Sequence, residues 1–263
     1  MVLRYPGSKA KYLNLLSPYL DWLVDGETVF VDVCVGAGSV LLHVARTYPH
    51  LRLVVNDLDS LIADFWRAVA DKEMVRDLCE KLKTPVTHAL RQDLLANEPQ
   101  DTVGRAHAAV VLTRTSYSGI LKAGMFGGGR DGSPVKDLKA RYNPDWVVRE
   151  VMKYHEVLAG RVEVSQVHAI ECVRMHRDAP LFVDPPYYHR GRGLYRHVPD
   201  PDEHEGLAHE IRCCRRALLT YDDCPEVEAL YGRYQIDRFP ATYQAGRNPN
   251  NAWKETNEIV IAV

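Results

Sequence analysis

Apolar residues along this chain follow two regimes, and the alternation between them predicts the architecture. Short runs rich in β-branched residues, closed by turn or acidic residues, cover 28–35, 51–55, 161–167, 181–183 and 218–221. An unbroken apolar run such as 181–183 is the pattern of a strand buried on both faces of a parallel sheet. Between these runs, apolar positions recur every three or four residues. This happens over 11–22 (Tyr12, Leu15, Leu16, Tyr19, Leu20), from Val40 to Ala45, and over 61–70, 72–83, 86–96 and 102–117. A further helix is expected from Pro144 to about Leu158, with Asn143 as its cap and Gly160 as its stop. The pattern then predicts helices over 200–217 and 225–231 and a closing pair of strands at 234–239 and 259–263. A polar hairpin loop holding Arg247 and Lys254 joins that last pair. Strands alternating with helices make this an α/β chain.

The helices between 61 and 117, broken at Pro85 and Pro99, are more than one crossover between parallel strands requires. The surplus predicts an inserted helical domain. The expected partition is a first core segment over 1–59, the helical insertion over 60–160 and a second core segment over 161–263.

Composition narrows the class without naming it. Of 263 residues, 9% are aromatic and 26% charged, the proportions of an ordinary globular protein. No apolar run approaches the length of a membrane span and residues 1–12 carry no signal-peptide pattern, so a cytoplasmic protein without a membrane partner is expected. Six cysteines, at 34, 79, 172, 213, 214 and 224, form no C-x-x-C pair, and the histidines show no ligand spacing. No metal is expected, and a monomer is. The net charge of −2 does not advertise a nucleic-acid binder, but the charge is unevenly placed. Residues 112–149 hold seven Lys or Arg against three Asp, and 185–199 hold Arg190, Arg192 and Arg196 with no acid.

The stretch carrying chemistry is 181–188, Leu-Phe-Val-Asp-Pro-Pro-Tyr-Tyr. An apolar strand stopped by two prolines sets Asp184 at the carboxyl-end rim of the sheet, where α/β folds place ligands. The diproline fixes the direction of the Asp184 carboxylate and the Pro185 carbonyl. Two acceptors converging on one point suit an exocyclic amino group with its two N–H donors, and Tyr187 offers a face for a flat heterocycle. Tyr188 or Tyr195 is expected as the opposite wall. Upstream, Gly36-Ala37-Gly38-Ser39 joins a strand to a helix, the turn that lets backbone approach a nucleotide-like ligand. Asp57, at the end of the next strand, suits both hydroxyls of a ribose, and it also stands where it could cap the helix that starts near Ser60. Residues 5–9, Tyr-Pro-Gly-Ser-Lys, put backbone N–H groups and one cation near a helix start, a place for a carboxylate.

Asp184-Pro185-Pro186-Tyr187 resembles the catalytic tetrapeptide of methyltransferases that use S-adenosylmethionine on exocyclic nitrogens. The set Tyr5-Pro6-Gly7-Ser8-Lys9, Asp32-x-x-x-Gly36-x-Gly38, Asn56-Asp57, Arg114-x-x-Tyr117-x-Gly119 and Asp184-Pro185-Pro186-Tyr187 occurs in the order of the Dam-type DNA adenine methyltransferases. That resemblance implies a Rossmann-like methyltransferase core, a mostly parallel twisted sheet with helices on both faces, carrying an inserted helical DNA-recognition domain. It implies methyl transfer to N6 of an adenine flipped out of double-stranded DNA. Asp184, Pro185, Pro186 and Tyr187 would be catalytic. Tyr5, Lys9, Asp32, Gly36, Gly38, Asp57, His168 and Asp184 would hold S-adenosylmethionine. Arg114, Tyr117, Ser118 and Arg130, the last in the glycine-rich loop 124–132, would meet DNA.

The chain departs from the family pattern at three places. Val33-Cys34 stand where the family has Pro-Phe, and Thr113 and Ser118 replace two asparagines of the recognition segment. His168 stands where the family places an aspartate that accepts from the cofactor's adenine. Cytosine N4, an RNA substrate and an inactive DNA-binding relative are the alternative readings.

Overall fold

A computed structural model of the chain describes residues 1–120, 141–189, 193–242 and 255–263. Seven strands form one sheet: β1 (Val29–Asp32), β2 (Arg52–Asn56), β3 (Val162–Ser165), β4 (Pro180–Val183), β5 (Arg216–Asp222), β6 (Gln235–Thr242) and β7 (Glu255–Ala262). Their order is β3-β2-β1-β4-β5-β7-β6. The first five are parallel, and β7 runs antiparallel between β5 and β6. Strand order reverses between β1 and β4, so the crevice beyond their carboxyl ends is where this topology places a ligand.

Alternate strand residues divide between two apolar layers, as a period of two demands. Phe30, Leu53, Val55, Phe182, Leu218 and Val260 point into one, and Val31, Val54, Leu181, Val183, Leu219 and Ile261 into the other. Helices α1 (Leu13–Val24) and α2 (Ser39–Thr47) cover the first face. The same apolar cluster takes in α3 (Ser60–Ala70), α4 (Lys72–Leu82), α5 (His88–Ala96), α6 (Thr102–Thr115) and α7 (Pro144–Leu158). Helix α6 is buried on every side from Ala106 to Thr115 and has no polar face. Its Thr113 and Thr115 hydroxyls are satisfied by carbonyls four residues back, each at 2.7 Å. Helices α8 (Ala169–Met175), α9 (Pro201–Ile211) and α10 (Pro225–Tyr231) cover the second face.

Several elements differ from the sequence expectation. The first helix is shifted: a 3₁₀ turn at Lys9–Lys11 precedes α1, which tolerates Pro18 in its second turn. The helix expected over 200–217 stops at Ile211, and Arg216 and Ala217 belong to β5; burial of 217–222 between β4 and β7 overrides the helical spacing there. Helix α8 was not anticipated, being only seven residues long. The helix expected over 102–117 ends at Thr115, because Ser116 is extended and a 3₁₀ turn over Tyr117–Gly119 follows. The cap of α3 is Asp59, whose side chain accepts from Leu61 N, and not Asp57. The expected domain boundaries fall at this cap and beside Gly160, where φ is +72°. The loop 124–132 with Arg130, and Arg190, Arg192, Arg247 and Lys254, lie outside the described residues.

Candidate active site

A cavity of about 400 Å³ runs along the carboxyl ends of β1, β2, β3 and β4. It is lined by residues 5–9, 32–37, 56–59, 168–170, 184–186 and 195–199, with Glu203, His204 and Leu207 closing one end. One continuous space therefore joins the glycine turn to Asp184.

The turn after β1 has φ of +47° at Gly36 and +70° at Gly38, which any side chain would strain. A Cβ at Gly38 would also run into the buried Trp66 indole, whose Nε1 donates to Gly36 O at 3.0 Å. Asp57 ties this turn to the next: Oδ2 accepts from Gly36 N at 2.9 Å and Oδ1 from Asp59 N at 3.0 Å. Beside it the buried Asn56 amide fastens three strand ends together. Its Nδ2 donates to Val33 O and Val167 O, and its Oδ1 accepts from Val167 N and the Ser165 hydroxyl.

At the other end Asp184 is held from two sides. Oδ2 accepts from Lys9 Nζ at 2.6 Å and Oδ1 from the Thr220 hydroxyl at 2.7 Å. Lys9 is itself buried and donates to Gly7 O at 2.8 Å, so the amino-terminal loop is clamped onto the carboxylate. Thr220 follows Leu219 on β5, and Leu219 is in register with Val183 on β4, which places the hydroxyl beside Asp184. Opposite, Tyr195 packs on Tyr5 with ring centroids 5.7 Å apart, and its hydroxyl donates to Pro6 O at 3.4 Å. Arg196 fastens the segment carrying Tyr195 to Asp59 at 3.1 Å and to Glu98 at 2.8 Å.

Burial raises the pKa values of Asp32, Asp57, Asp59 and Asp184 around this cavity, and carboxyl neighbours within it add to the rise at Asp32 and Asp57. Burial, then Asp184 and Asp57, pushes Asp32 well above the carboxylate range. Asp57 is pushed up to about 7 by burial and by Asp59. Burial raises Asp59 against the pull of Arg196, and raises Asp184 against the pull of Lys9 and Thr220. Burial likewise raises the Tyr5 and Tyr195 hydroxyls, which stay protonated. Asp32 Oδ1 is buried with no hydrogen-bond partner among the described residues. An acid with one unpartnered oxygen, a second carboxylate beneath a glycine turn and a volume of this size fit a ligand with a cationic amine and sugar hydroxyls.

Of the residues expected to hold a cofactor, Tyr5, Lys9, Asp32, Gly36, Asp57, His168 and Asp184 line this cavity, and Gly38 lies just beneath as the α2 cap. Pro185 and Pro186 line it too. Tyr187 does not. It is 6% exposed, its hydroxyl donates to Glu258 on β7 at 2.8 Å, and its ring lies between Tyr221 and the Lys9 ammonium. The aromatic wall comes instead from Tyr195 and Tyr5. Tyr188 is turned toward α9, its ring 4.8 Å from His204, and Asp222 accepts from its backbone N–H at 3.1 Å.

Among the residues expected to meet DNA, Tyr117 is 58% exposed and Ser118 sits at φ +53° on the same surface turn. Arg114, expected to meet DNA, is buried. It donates to Val2 O and Arg141 O, each at 3.1 Å, and its guanidinium lies 4.7 Å from the Trp146 ring centroid. The recognition segment thus grips the amino-terminal strand of chain that leads to Tyr5 and Lys9. Among the described residues one group with metal-ligand atoms, His189, Cys224 and Glu226, comes within 4.8 Å, and none of the three lines the cavity. Burial pushes the Cys224 thiol to about 11, and His189 and Glu226 pair at 3.0 Å.

Thr220, Asn56, Trp66 and Glu258 were not read as site residues. Thr220 left a faint signal, an aliphatic hydroxyl directly after the apolar run Ala217-Leu218-Leu219. No helix among the described residues is long and apolar enough to cross a membrane. The family model described as D12 class N6 adenine-specific DNA methyltransferase matches residues 5–244. No curated protein matches the chain.

Proposed function

The chain belongs to the D12 class N6 adenine-specific DNA methyltransferase family and is therefore an enzyme that methylates adenine in DNA; from that premise we propose how this cavity divides the work. S-adenosylmethionine, when bound, supplies a methyl group already activated on a sulfonium. Asp57 accepts from the ribose hydroxyls, and the glycine turn lets backbone lie against the nucleoside. The buried Asp32, whose Oδ1 has no partner among the described residues, accepts from the amino group of the methionine moiety.

The target adenine enters from the side of Pro186 and Tyr195, at an unstacking cost of about a few kcal/mol. Its amine nitrogen is a poor nucleophile, because the lone pair is spread into the ring. Asp184 and the Pro185 carbonyl each accept one of its N–H groups, which favours the pyramidal form and localises the lone pair. The same two oxygens stabilise the positive charge that grows on nitrogen during attack. Lys9 and Thr220 use one lone pair on each Asp184 oxygen and leave the others for the substrate. Holding the two partners in line then contributes much of the rate.

The observation carrying this reading is that Asp184 and Gly36 line one cavity, with Lys9 bridging from the amino-terminal loop to the carboxylate. Asp184→Ala should abolish methylation of duplex DNA, read as N6-methyladenine in nucleoside digests, while calorimetric binding of S-adenosylhomocysteine stays measurable. Wild-type turnover by the variant would refute the role of Asp184.

A further inference from the structure

Sheet order sets the sequence of features along the cavity: the glycine turn after β1, Asp57 after β2, then residues 168–170 after β3. A nucleoside whose ribose sits on Asp57 directs its base toward the β3 end. That end is built from the first turn of α8 and one face of α9. Ile170 and Leu207 supply the apolar surface, and Gly206 leaves room for it, since a Cβ there would stand 3.0 Å from Ile170 Cδ1. The polar groups are His204, whose Nδ1 lies 3.0 Å from the Tyr221 hydroxyl, and the pair His168 and Glu203, whose Nε2 and Oε1 lie 2.8 Å apart.

The bonding fixes what this wall can offer. Ile170 N–H donates to His168 Nδ1 at 3.4 Å, so the imidazole proton lies on Nε2 and is given to Glu203. Both ring nitrogens are thereby used. Glu203 Oε2 accepts from Asp200 N at 2.8 Å, which closes the capping box of α9. Each carboxylate oxygen keeps a lone pair, and the side chain remains 39% exposed at the cavity end. Of this pair, therefore, only the Glu203 carboxylate has hydrogen-bonding capacity left for the cavity, and all of it is acceptor.

We propose that Glu203, oriented by His168, accepts the 6-amino group of the methyl donor's adenine and so selects an adenine over a 6-oxopurine nucleoside. The assignment rests on the methyl-donor reading of the cavity. Its origin in α9 also accounts for a histidine being tolerated after β3: the carboxylate reaches the base from the neighbouring helix.

Isothermal titration with S-adenosylhomocysteine and S-inosylhomocysteine tests it. A carboxylate facing the 6-position gains a hydrogen bond from the amine and loses it to the oxo group, so wild-type protein should prefer the adenosyl compound by about 10- to 100-fold. In Glu203→Gln the amide presents either oxygen or NH₂, and the preference should shrink to within about threefold. Glutamine keeps the capping box, so the unliganded melting temperature should move by less than about 2 °C. A Glu203→Gln protein with wild-type preference overturns the assignment, as does a wild type that binds both compounds equally. A wild type that binds neither overturns the methyl-donor reading first, and this inference with it.

Discussion

Lys9 Nζ stands 2.6 Å from Asp184 Oδ2, although the two residues are 175 positions apart in the chain, and the lysine side chain is 2% exposed. A buried pair of this kind is costly to break, because removing one member leaves the other charged and desolvated. Lys9 also pulls the Asp184 pKa down against burial, by its charge and by its hydrogen bond. In Lys9→Met that restraint is gone, so the carboxyl titrates at a higher pH than in the wild type. Since the ionised form is the acceptor, the acidic limb of the rate profile should move to higher pH. Turnover at neutral pH should fall about 100-fold, with partial recovery in alkali. Single-turnover methylation measured across pH checks this, and an unmoved acidic limb contradicts it.

Asp57 gives a second pH signature. Burial, and then the charge of Asp59, pushes its carboxyl from the ordinary value of 3.8 to about 7 in the folded protein. A raised carboxyl contributes stability that is complete below the unfolded pKa and disappears as pH rises through the folded one. The unliganded enzyme should therefore lose stability between about pH 4 and pH 7 through this group. Ligand binding runs the other way, because sugar hydroxyls donate to the ionised form. Affinity for S-adenosylhomocysteine should rise by up to about tenfold per pH unit approaching pH 7 and then level off. In Asp57→Asn the profile should be flat and the affinity lower throughout. Calorimetry across this range decides it.

These two groups also show what the sequence makes legible, which is their place in the fold. Asp57, Asp184 and the glycines are legible because each lies at a strand end, and a strand end is a local property of the chain. Tyr187 sits three residues from Asp184, yet its direction is set by Glu258, 71 positions away on an antiparallel strand. Nothing near Tyr187 in the sequence encodes that partner. Arg114 matches the recognition segment well, but its partners are carbonyls of Val2 and Arg141, contacts between distant stretches of backbone that side-chain patterns do not report. Helix α8 and the end of α9 were misjudged for a different reason. A seven-residue helix offers too few positions to display a period, and Ala217-Leu218-Leu219 satisfies helical and strand spacing equally until β4 and β7 claim it.

Arg114 and Tyr117, three residues apart, should separate cleanly on mutation. Arg114→Ala removes two charge-assisted bonds from a buried site and should cost about 3 kcal/mol of stability in urea unfolding. The dependence of DNA affinity on salt should keep its wild-type slope, because a buried guanidinium releases no phosphate counterions. Tyr117→Ala, at an exposed position, should leave stability within about 0.5 kcal/mol and weaken DNA binding. A shallower salt slope in Arg114→Ala would place that guanidinium on the DNA after all.

Thr220 tests whether aiming a carboxylate matters apart from keeping it charged. Its hydroxyl is fully buried and donates to Asp184 Oδ1 at 2.7 Å. Thr220→Val keeps the shape and removes only the donor, so the side chain still fills its place in β5. Two effects follow, and they differ in size. The folded protein should lose about 1 kcal/mol, the net worth of one buried hydrogen bond. Asp184 would still be paired with Lys9, but one of its oxygens would be free to turn, and transfer depends on that oxygen's direction toward the substrate amine. Turnover should fall about 10- to 30-fold, with S-adenosylhomocysteine affinity unchanged. Thr220→Ser restores the donor and should recover most of the rate, although it lacks the methyl that packs in the strand and should be the less stable of the two. A purely structural role for Thr220 predicts the opposite ranking, with activity following stability across the pair.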